Sequence, residues 1–313
     1  MTRKLRAAVA LIGISVGAHL CAAQGLSPRA YIITPIHSNA ITLTDSFQDG
    51  NIVFDPTLPV SDAHGRINTQ IATYFHTFGI SGRSANVNIS LPYSLGHFEG
   101  VLNGVDEQIY RSGLAPAVFR ISANLRGGPA MTVKEYARWH QKTLVGASLT
   151  INMQTGQYDP ARLINIGANR WAFKPEFGFS QRHKRWIIDA YAAAWLFTPN
   201  TNFFTPKPGS SGPNKQTQEP MGAIETHLSY DFKPRMWVSI DGNFWYGGET
   251  KVNGVVTPTT LQANSRLGAT AAIPLGKHQS IKFSYSGGTY TRFGGDFQDI
   301  SFAWQYSWLG RPN

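Results

Sequence analysis

The stretch Ile300-Ser301-Phe302-Ala303-Trp304-Gln305-Tyr306-Ser307-Trp308 decides the fold of this chain. Every second residue in it is a large apolar or aromatic one, and the residues between them are small or polar. Successive side chains of a β-strand point to opposite faces, so the pattern predicts a strand with one strongly apolar face. A soluble protein would not leave such an aromatic stripe in water, and we therefore expect the stripe to face lipid.

The same alternation recurs along the chain. Residues 280–286 repeat it, as do residues 86–93, 148–154 and 223–232. Membrane-spanning barrels carry this period of two in segments of about ten residues, with apolar side chains toward lipid and polar ones toward the lumen. The sequence therefore predicts an all-β fold, an antiparallel up-and-down transmembrane β-barrel.

Turn residues divide the pattern into about 12 strands, within a range of about 10 to 14. The predicted strands are 40–54, 66–78, 84–95, 114–125, 143–154, 168–180, 185–197, 221–232, 235–247, 261–273, 278–288 and 297–308. Short connections such as 79–82, 233–235 and 274–277 alternate with longer ones such as 199–220. Since short turns face the periplasm, an even strand count leaves both termini on that side.

Two local features add to this picture. The segment Thr132-Val133-Lys134-Glu135 has the spacing of a helix capping box, which predicts a short periplasmic helix near residues 132–141. Six tryptophans fall at predicted strand ends, where aromatic girdles meet the membrane interface. The periplasmic set is Trp186, Trp237 and Trp308, and the outer set is Trp171, Trp195 and Trp245.

The N-terminus predicts export. Arg3, Lys4 and Arg6 precede an apolar run from Ala7 to about Leu20 and then small residues, which is the pattern of a secretory signal peptide. We expect a signal peptide at 1–23, cleavage near Ala23, and a single barrel domain at 24–313 in the outer membrane of a Gram-negative bacterium. A lipid anchor on Cys21 is the alternative, but His19 and Leu20 are not the small residues that such a signal requires.

Composition agrees with a barrel and narrows the partners. The chain is 12% aromatic and 15% charged, and its mean hydropathy of -0.21 is too low for a helical membrane protein. Cys21 is the single cysteine, so a disulfide scaffold or zinc-thiolate site is excluded, and we expect neither cofactor nor metal. The net charge is +10 with dispersed basic residues, which favours anionic lipid or an anionic solute over nucleic acid. The expected partners are outer-membrane lipid, lipopolysaccharide, a small-molecule solute and the outer-membrane assembly machinery.

Several motifs resemble one family. They are Arg83-Ser84-Ala85, Leu91-Pro92-Tyr93, Gly146-Ala147-Ser148-Leu149-Thr150, Thr155-Gly156-Gln157-Tyr158-Asp159-Pro160, Asn169-Arg170-Trp171-Ala172-Phe173-Lys174-Pro175-Glu176, Ser265-Arg266-Leu267-Gly268-Ala269-Thr270, Gly294-Gly295-Asp296-Phe297 and Ala303-Trp304-Gln305-Tyr306. The chain is similar, from about Pro35 to Trp308, to the "putative MetA-pathway of phenol degradation" family of outer-membrane transporter-like proteins. The resemblance implies a transmembrane barrel that is associated with aromatic or other hydrophobic compounds.

Strand alternation also predicts which charged residues enter the lumen. They are Arg120, Arg170, Lys174, Glu176, Asp189, Glu225, His227, Asp231, Asp241, Arg266 and Lys282. One interpretation is a charged constriction that selects solutes, with Arg170, Lys174 and Glu176 at its centre facing the strand of Asp189. The other is a set of ion pairs that brace the wall of a barrel filled by side chains.

Three further parts of the sequence allow more than one interpretation. The strand around Asp189 can place Ile187, Tyr191 and Trp195 in the lumen, or its register can be reversed so that they face lipid. Asp159 suits either a ligand contact or the architecture of an outer loop. Asp55 and Asp62 could bind a divalent cation through oxygen, although two separated acids are weak evidence.

The function that these observations favour is an outer-membrane channel for small, aromatic or hydrophobic compounds, without catalysis. One alternative is a closed structural or adhesion barrel that acts through its outer loops. Another is a lipid hydrolase with His227 as base, but the alternation points this residue inward and the chain has no Gly-x-Ser-x-Gly motif.

Overall fold

The computed structural model describes residues 26–53, 60–162, 164–204 and 213–310. Most of these residues lie in β-strands. The strands are β1 (Ser38–Val53), β2 (Val60–Ile80), β3 (Arg83–Leu102), β4 (Val105–Leu114), β5 (Val118–Arg126), β6 (Thr143–Asn152), β7 (Ala172–His183), β8 (Trp186–Phe197), β9 (Asn200–Phe203), β10 (Asn214–Gln218), β11 (Met221–Lys233), β12 (Met236–Gly247), β13 (Thr250–Val252), β14 (Val255–Thr257), β15 (Gln262–Pro274), β16 (Gln279–Thr291) and β17 (Gly294–Leu309).

Thirteen of these strands form one antiparallel sheet that closes on itself. The seam joins β1 to β17, from Ser38 opposite Leu309 to Val53 opposite Gly294. β4 and β5 pair with successive halves of β3 and act as one interrupted wall strand. The barrel therefore has twelve wall strands, which confirms the predicted fold and strand number.

The two ends of the barrel differ. Both Ser38 and Leu309 lie at one end, called the terminal end here, together with the short turns 81–82, 184–185, 234–235 and 275–278. The opposite, loop end carries the longer connections between β6 and β7, β8 and β11, and β12 and β15. In outer-membrane barrels the short turns face the periplasm and the long loops face outward.

Alternation divides the wall into a lipid face and a lumen face as the sequence predicts. The residues that the opening stretch places on its apolar side point outward, and Ile300 is 57% exposed. On β7, Phe177 and Phe179 point outward while Glu176 points inward and is buried. The described part of the chain contains no helix that is long and apolar enough to cross a membrane.

The tryptophan girdles were predicted wrongly in part. Trp171 and Trp186 are exposed on the outer surface. In contrast, Trp195 and Trp245 are 2% and 3% exposed and lie inside the loop end. They pack there in one cluster with Met221. Trp237 also turns inward, because the guanidinium of Arg29 lies 4.3 Å from the centre of its ring.

The wall between residues 95 and 117 also differs from the prediction. Strands were expected to end at 95 and to resume at 114, but β3 continues to Leu102 and β4 returns beside it. Charged and glycine residues in this hairpin hid the alternation. Farther along, β7 begins at Ala172 rather than at 168, since the preceding Asn169 has a positive φ of 52° that a strand does not accept.

The capping box forms as predicted. Helix α1 spans Val133–Tyr136, the backbone N–H of Thr132 donates to the Glu135 carboxylate at 2.7 Å, and the bonds from Thr132 lower the pKa of Glu135. The helix is only one turn long, although residues 132–141 were expected. The chain has already joined the wall by Lys142, whose carbonyl accepts a hydrogen bond from the backbone of Arg182 at 2.8 Å.

The terminal end carries a group of exposed basic residues. Its described turns and strand ends carry exposed cations on every hairpin, while the exposed acid there is Glu135, which caps α1. The cations are Arg83, Arg126, Lys134, Arg138, Lys142, Lys184, Arg185, Lys233, Arg235 and Lys277. The loop end, in contrast, mixes acids and bases.

Candidate functional site: the lumen and the segment inside it

The segment before β1, residues 26–37, lies inside the barrel near the terminal end. The backbone N–H of Arg29 donates to the Asp189 carboxylate at 3.3 Å, and that of Ala30 donates to the Tyr191 hydroxyl at 3.0 Å. At its other end, the N–H of Ile36 donates to the carbonyl of Met131 at 2.8 Å. The segment therefore runs across the lumen from the wall beside β1 to the wall formed by β8. We call it the lumen segment.

Tyr31 anchors this segment in a gap left by two glycines. Gly146 on β6 and Gly178 on β7 are paired across the sheet and face the lumen. A Cβ on either glycine would overlap the ring of Tyr31. The Tyr31 hydroxyl donates to Glu176 at 2.9 Å and lies 3.0 Å from the Ser148 hydroxyl. Tyr31 is thus as buried as a core residue, with 2% of its surface exposed.

Arg29 ties the segment to the other side of the terminal mouth. Its guanidinium lies 2.7 Å from Asp231, which also accepts a bond from Arg182 at 2.6 Å. The same guanidinium stacks on Trp237. Cation–π and charge-assisted contacts of this kind gain strength where water is excluded. The lumen segment is therefore held at three points by tyrosine, arginine and backbone contacts.

Beyond the segment, charged side chains from four wall strands meet. Lys174 Nζ lies 2.9 Å from Glu176 and 2.9 Å from Glu225. Arg120 is 3.5 Å from Glu176. His227 lies 3.7 Å from Glu225 and links it to Asp241, which lies 2.9 Å from its Nδ1. We call Arg120, Lys174, Glu176, Glu225, His227 and Asp241 the charge network.

The other predicted lumen residues also face inward but play separate parts. Asp189 and Asp231 hold the lumen segment. Arg170 lies at the loop end, bonded to Gln218 and packed on the ring of Phe197. Arg266 donates to the Ser286 hydroxyl at 2.8 Å and to the carbonyl of Phe297 at 2.9 Å. Lys282 faces the open part of the lumen. The structure therefore splits the cluster predicted around Arg170, because Arg170 and Lys174 have different partners.

An internal cavity of about 520 Å³ lies between the lumen segment and the loop end. Leu26, Ser27 and Ala30 of the segment form part of its lining, and Asn165 and Ile166 of the β6–β7 connection form another part. Hydroxyl groups make up much of the remaining wall, with Arg120, Lys174 and Lys282 among them. The hydroxyl residues include Thr44, Ser46, Thr69, Ser90, Ser284 and Ser301.

Apolar packing closes the cavity toward the loop end. Ile164 packs with Ile67, Phe98 and Phe297, and all four are almost fully buried. The connection that carries Ile164 is braced by Arg111, whose Nε donates to the Ile164 carbonyl at 2.9 Å. The described residues thus restrict the lumen at both ends, with polar contacts at one end and apolar contacts at the other.

The cavity also reaches the interruption in the wall. Pro92, Ala115 and Pro116 line it where β4 gives way to β5. Proline has no backbone N–H, so the sheet ladder is weakened at this level. On the loop-end side of this level, β4 pairs with β3 alone. On its other side, β4 has one hydrogen bond from the β6–β7 connection, in which the N–H of Gln157 donates to the carbonyl of Leu114 at 2.8 Å.

The register of β8 follows the inward-facing alternative. Ile187, Asp189, Tyr191 and Trp195 are buried in the barrel, while Trp186 and Ile188 are exposed outside. Tyr191 does not line an empty path, because its hydroxyl accepts the bond from Ala30 and its ring packs edge-on against Tyr31. An apolar path for aromatic solutes along this strand is therefore restricted to the level of Trp195, which lines the cavity.

The alternatives for other residues also have geometric answers. His227 directs its nitrogens toward Asp241 and Glu225, at 2.9 and 3.7 Å, rather than toward a serine hydroxyl. Asp159 serves its loop, as it accepts from the N–H of Ala161 and pairs with Arg162 at 2.9 Å. Asp55 lies outside the described residues, among which no group of three or more His, Cys, Asp or Glu residues could hold a metal.

The sequence pattern did not predict the lumen segment. Residues 26–37 have no period of two, and neither Arg29 nor Tyr31 stands in a recognisable motif. The wall strands nevertheless contain a sequence feature that indicates a side chain inside the barrel. Gly146 and Gly178 both occupy lumen-facing positions of neighbouring strands, and such a gap in a narrow barrel calls for a side chain from elsewhere.

A side chain placed in this gap should release the segment. We expect Gly178→Leu to displace Tyr31, because the new side chain and the ring cannot occupy the same space. Trypsin should then cut after Arg29, which the wild-type barrel protects, and mass spectrometry of the N-terminal fragment measures the cut. Gly222→Leu is the control, since a Cβ there has no neighbour closer than 3.9 Å. Equal protection of Arg29 in both variants would contradict this docking.

The sequence comparisons agree with the geometry. The family model described as "Putative MetA-pathway of phenol degradation" matches residues 44–307, which is most of the wall. The chain belongs to this family. The resemblance drawn from its motifs is thereby confirmed. A search of curated proteins gives no match.

The fold also occurs in a solved structure. An outer-membrane channel from Pseudomonas putida F1 superposes with a TM-score of 0.73 at 15% identity, over 91% of this chain and 100% of that one. The transport unit of the autotransporter AIDA-I from Escherichia coli gives a TM-score of 0.49 at 10% identity, over 95% of each chain. At 15% identity the likeness to the channel concerns the fold alone, which is that of an outer-membrane β-barrel.

Proposed function

We propose that this protein is an outer-membrane channel for small solutes, chiefly aromatic or hydrophobic compounds of low mass. The observation that carries the proposal is the cavity of about 520 Å³ enclosed by the barrel, which is the size of a small-molecule site. A purely structural barrel would gain stability from filling that space. The family description, which names phenol degradation, supports an aromatic solute.

Passage requires one end of the lumen to open, and the lumen segment is the better candidate for the moving part. Hydrogen bonds and an ion pair hold it to the wall, whereas the loop end is closed by buried apolar residues. The segment also belongs to no strand, so its movement leaves the sheet intact. The lining of Pro92, Ala115 and Pro116 offers apolar solutes a second exit through the side of the wall.

The setting that we propose follows the expectations from the sequence. Residues 1–23 are removed as a signal peptide, which lies outside the described residues, and 24–313 form one domain assembled by the outer-membrane machinery. Lipid covers the outward aromatic face, with lipopolysaccharide around the loop end. The exposed cations of the terminal end suit phospholipid phosphates of the inner leaflet. A liposome-binding assay with and without anionic lipid tests the last point.

Liposome swelling and planar-bilayer recordings on the refolded mature protein test the channel function. Small sugars, benzoate and toluene-like solutes are compared in one series. We expect single-ring aromatics to pass faster than sugars of similar mass, and single-channel currents to be small because both ends are restricted. Neither uptake nor conductance for any solute would favour the structural or adhesion barrel instead.

A further inference from the structure

One cation inside the barrel differs from all the charges of the network. Lys282 on β16 lies between Ala272 of β15 and Ala303 of β17, two small buried residues that leave its side chain room to enter the lumen. It lines the cavity and is exposed to it. Across the described chain, it makes no hydrogen bond and no salt bridge. Lys174, on the same cavity, has two carboxylate partners.

Asp241 and Asp299, two acids of the lumen wall, are already engaged by other donors. The Asp241 carboxylate lies 2.9 Å from Nδ1 of His227 and accepts a hydrogen bond from the Thr270 hydroxyl at 2.8 Å. The Asp299 carboxylate lines the cavity and accepts hydrogen bonds from the Ser46 hydroxyl at 3.1 Å and from the Gln48 amide at 2.7 Å. An ammonium group that is left without a partner inside a barrel wall attracts an anion more strongly than one in bulk water.

Hydroxyl groups surround this lysine. Ser284 follows it on the same face of β16, opposite Ser301 on β17 and Thr270 on β15. All three line the cavity with Lys282. A carboxylate is planar and accepts several hydrogen bonds, so it can accept from the ammonium and from serine hydroxyls together. A hydrocarbon would leave the Lys282 ammonium without a hydrogen-bond acceptor, which is costly in a confined site.

We propose that the cavity is a binding site for small aromatic carboxylates, with the carboxylate on Lys282 and on the hydroxyls of Ser284 and Ser301. The ring of the ligand then contacts the apolar part of the same lining, which includes Ile67, Ile71 and Phe98. This inference rests on the proposed channel function only in taking the ligand to be a solute that passes. It narrows the solute class from aromatic compounds in general to their carboxylates.

Equilibrium binding of benzoate to the refolded mature protein in non-ionic detergent tests the site, with calorimetry as the readout. Benzamide serves as the uncharged ligand of the same shape. We expect benzoate to bind more tightly than benzamide, Lys282→Met to weaken benzoate binding by about tenfold or more while leaving benzamide unchanged, and Lys282→Arg to retain most of the affinity. Lys277→Met, an exposed lysine in the turn before β16, is the matched control.

The outcomes separate the site from the channel. Equal affinity of wild type and Lys282→Met for benzoate, or no benzoate binding by a barrel that still migrates as folded in unheated gels, would overturn the site. Liposome uptake is measured on the same preparations. Passage of aromatic solutes without benzoate binding would remove the site and keep the channel, whereas benzoate binding without any passage would keep the site and remove the channel.

Discussion

Deleting residues 26–34 should raise single-channel conductance several-fold. The lumen segment crosses the barrel at the terminal end, where Tyr31 and Arg29 fix it to opposite parts of the wall. Conductance of a narrow pore depends on its tightest section, and the deletion removes this section without removing a wall strand. The chain from Pro35 onward is retained because the Pro35 carbonyl accepts the Thr77 hydroxyl at 2.7 Å and completes the wall beside β1.

Planar-bilayer recordings of the deletion and of two point variants measure the effect. Tyr31→Phe keeps the ring between Gly146 and Gly178 but loses the bond to Glu176, so it should raise the frequency of opening more than the size of the open current. Ser27→Ala, on the cavity side of the segment, should behave as wild type. Unchanged conductance after the deletion would place the limiting section at the apolar cluster of Ile164 and Phe297 instead.

The fold was accessible from the sequence because each wall strand repeats one simple rule. Lipid on one side and a polar lumen on the other impose a period of two, as in residues 300–308, and that period survives the loss of any single position. The rule fails where the lumen is itself apolar. Trp195 and Trp245 look like interface residues by position, but they fill the inside of the loop end.

The candidate site was accessible only in part. Alternation places Lys174, Glu176, Glu225 and His227 on the inner face, since each position depends on its own strand. Which of them meet depends on register between strands that are distant in sequence, such as Lys174 with Glu225 at 2.9 Å. Turn lengths fix that register, and an error of one residue in a turn changes every pair. The pairing of Arg170 with Gln218 in place of the network illustrates this.

The lumen segment is a harder case. Its position is set by contacts to the distant strands β6, β7 and β8, and nothing within residues 26–37 encodes a preference for the inside of a barrel. A prediction of the site from one sequence must therefore look for what the wall lacks, such as the gap at Gly146 and Gly178, as well as for what it presents.

Lys174→Met should destabilise the barrel by about 3–5 kcal/mol, the cost of leaving buried acids without their cation. Lys174 lies between Glu176 and Glu225, whose side chains are 6% and 5% exposed. Methionine keeps much of the length of the side chain and removes the cation that bridges the two acids, which leaves Arg120 at 3.5 Å from Glu176 and His227 at 3.7 Å from Glu225. Urea unfolding of refolded protein, followed by tryptophan fluorescence, measures the loss. Lys251→Met is the control, because its pair with Glu219 is exposed to solvent, where such pairs add little to stability.

The same comparison decides how the charge network works. A loss for Lys174→Met as small as for Lys251→Met would mean that water reaches Glu176 and Glu225 and replaces the lysine, as in a wide hydrated pore. A large loss means that the network is dry and braces four wall strands, so that ions cannot pass through it without breaking it. In that case solutes must travel along the cavity side, past Ser284 and Lys282, and the network forms a fixed wall of the path.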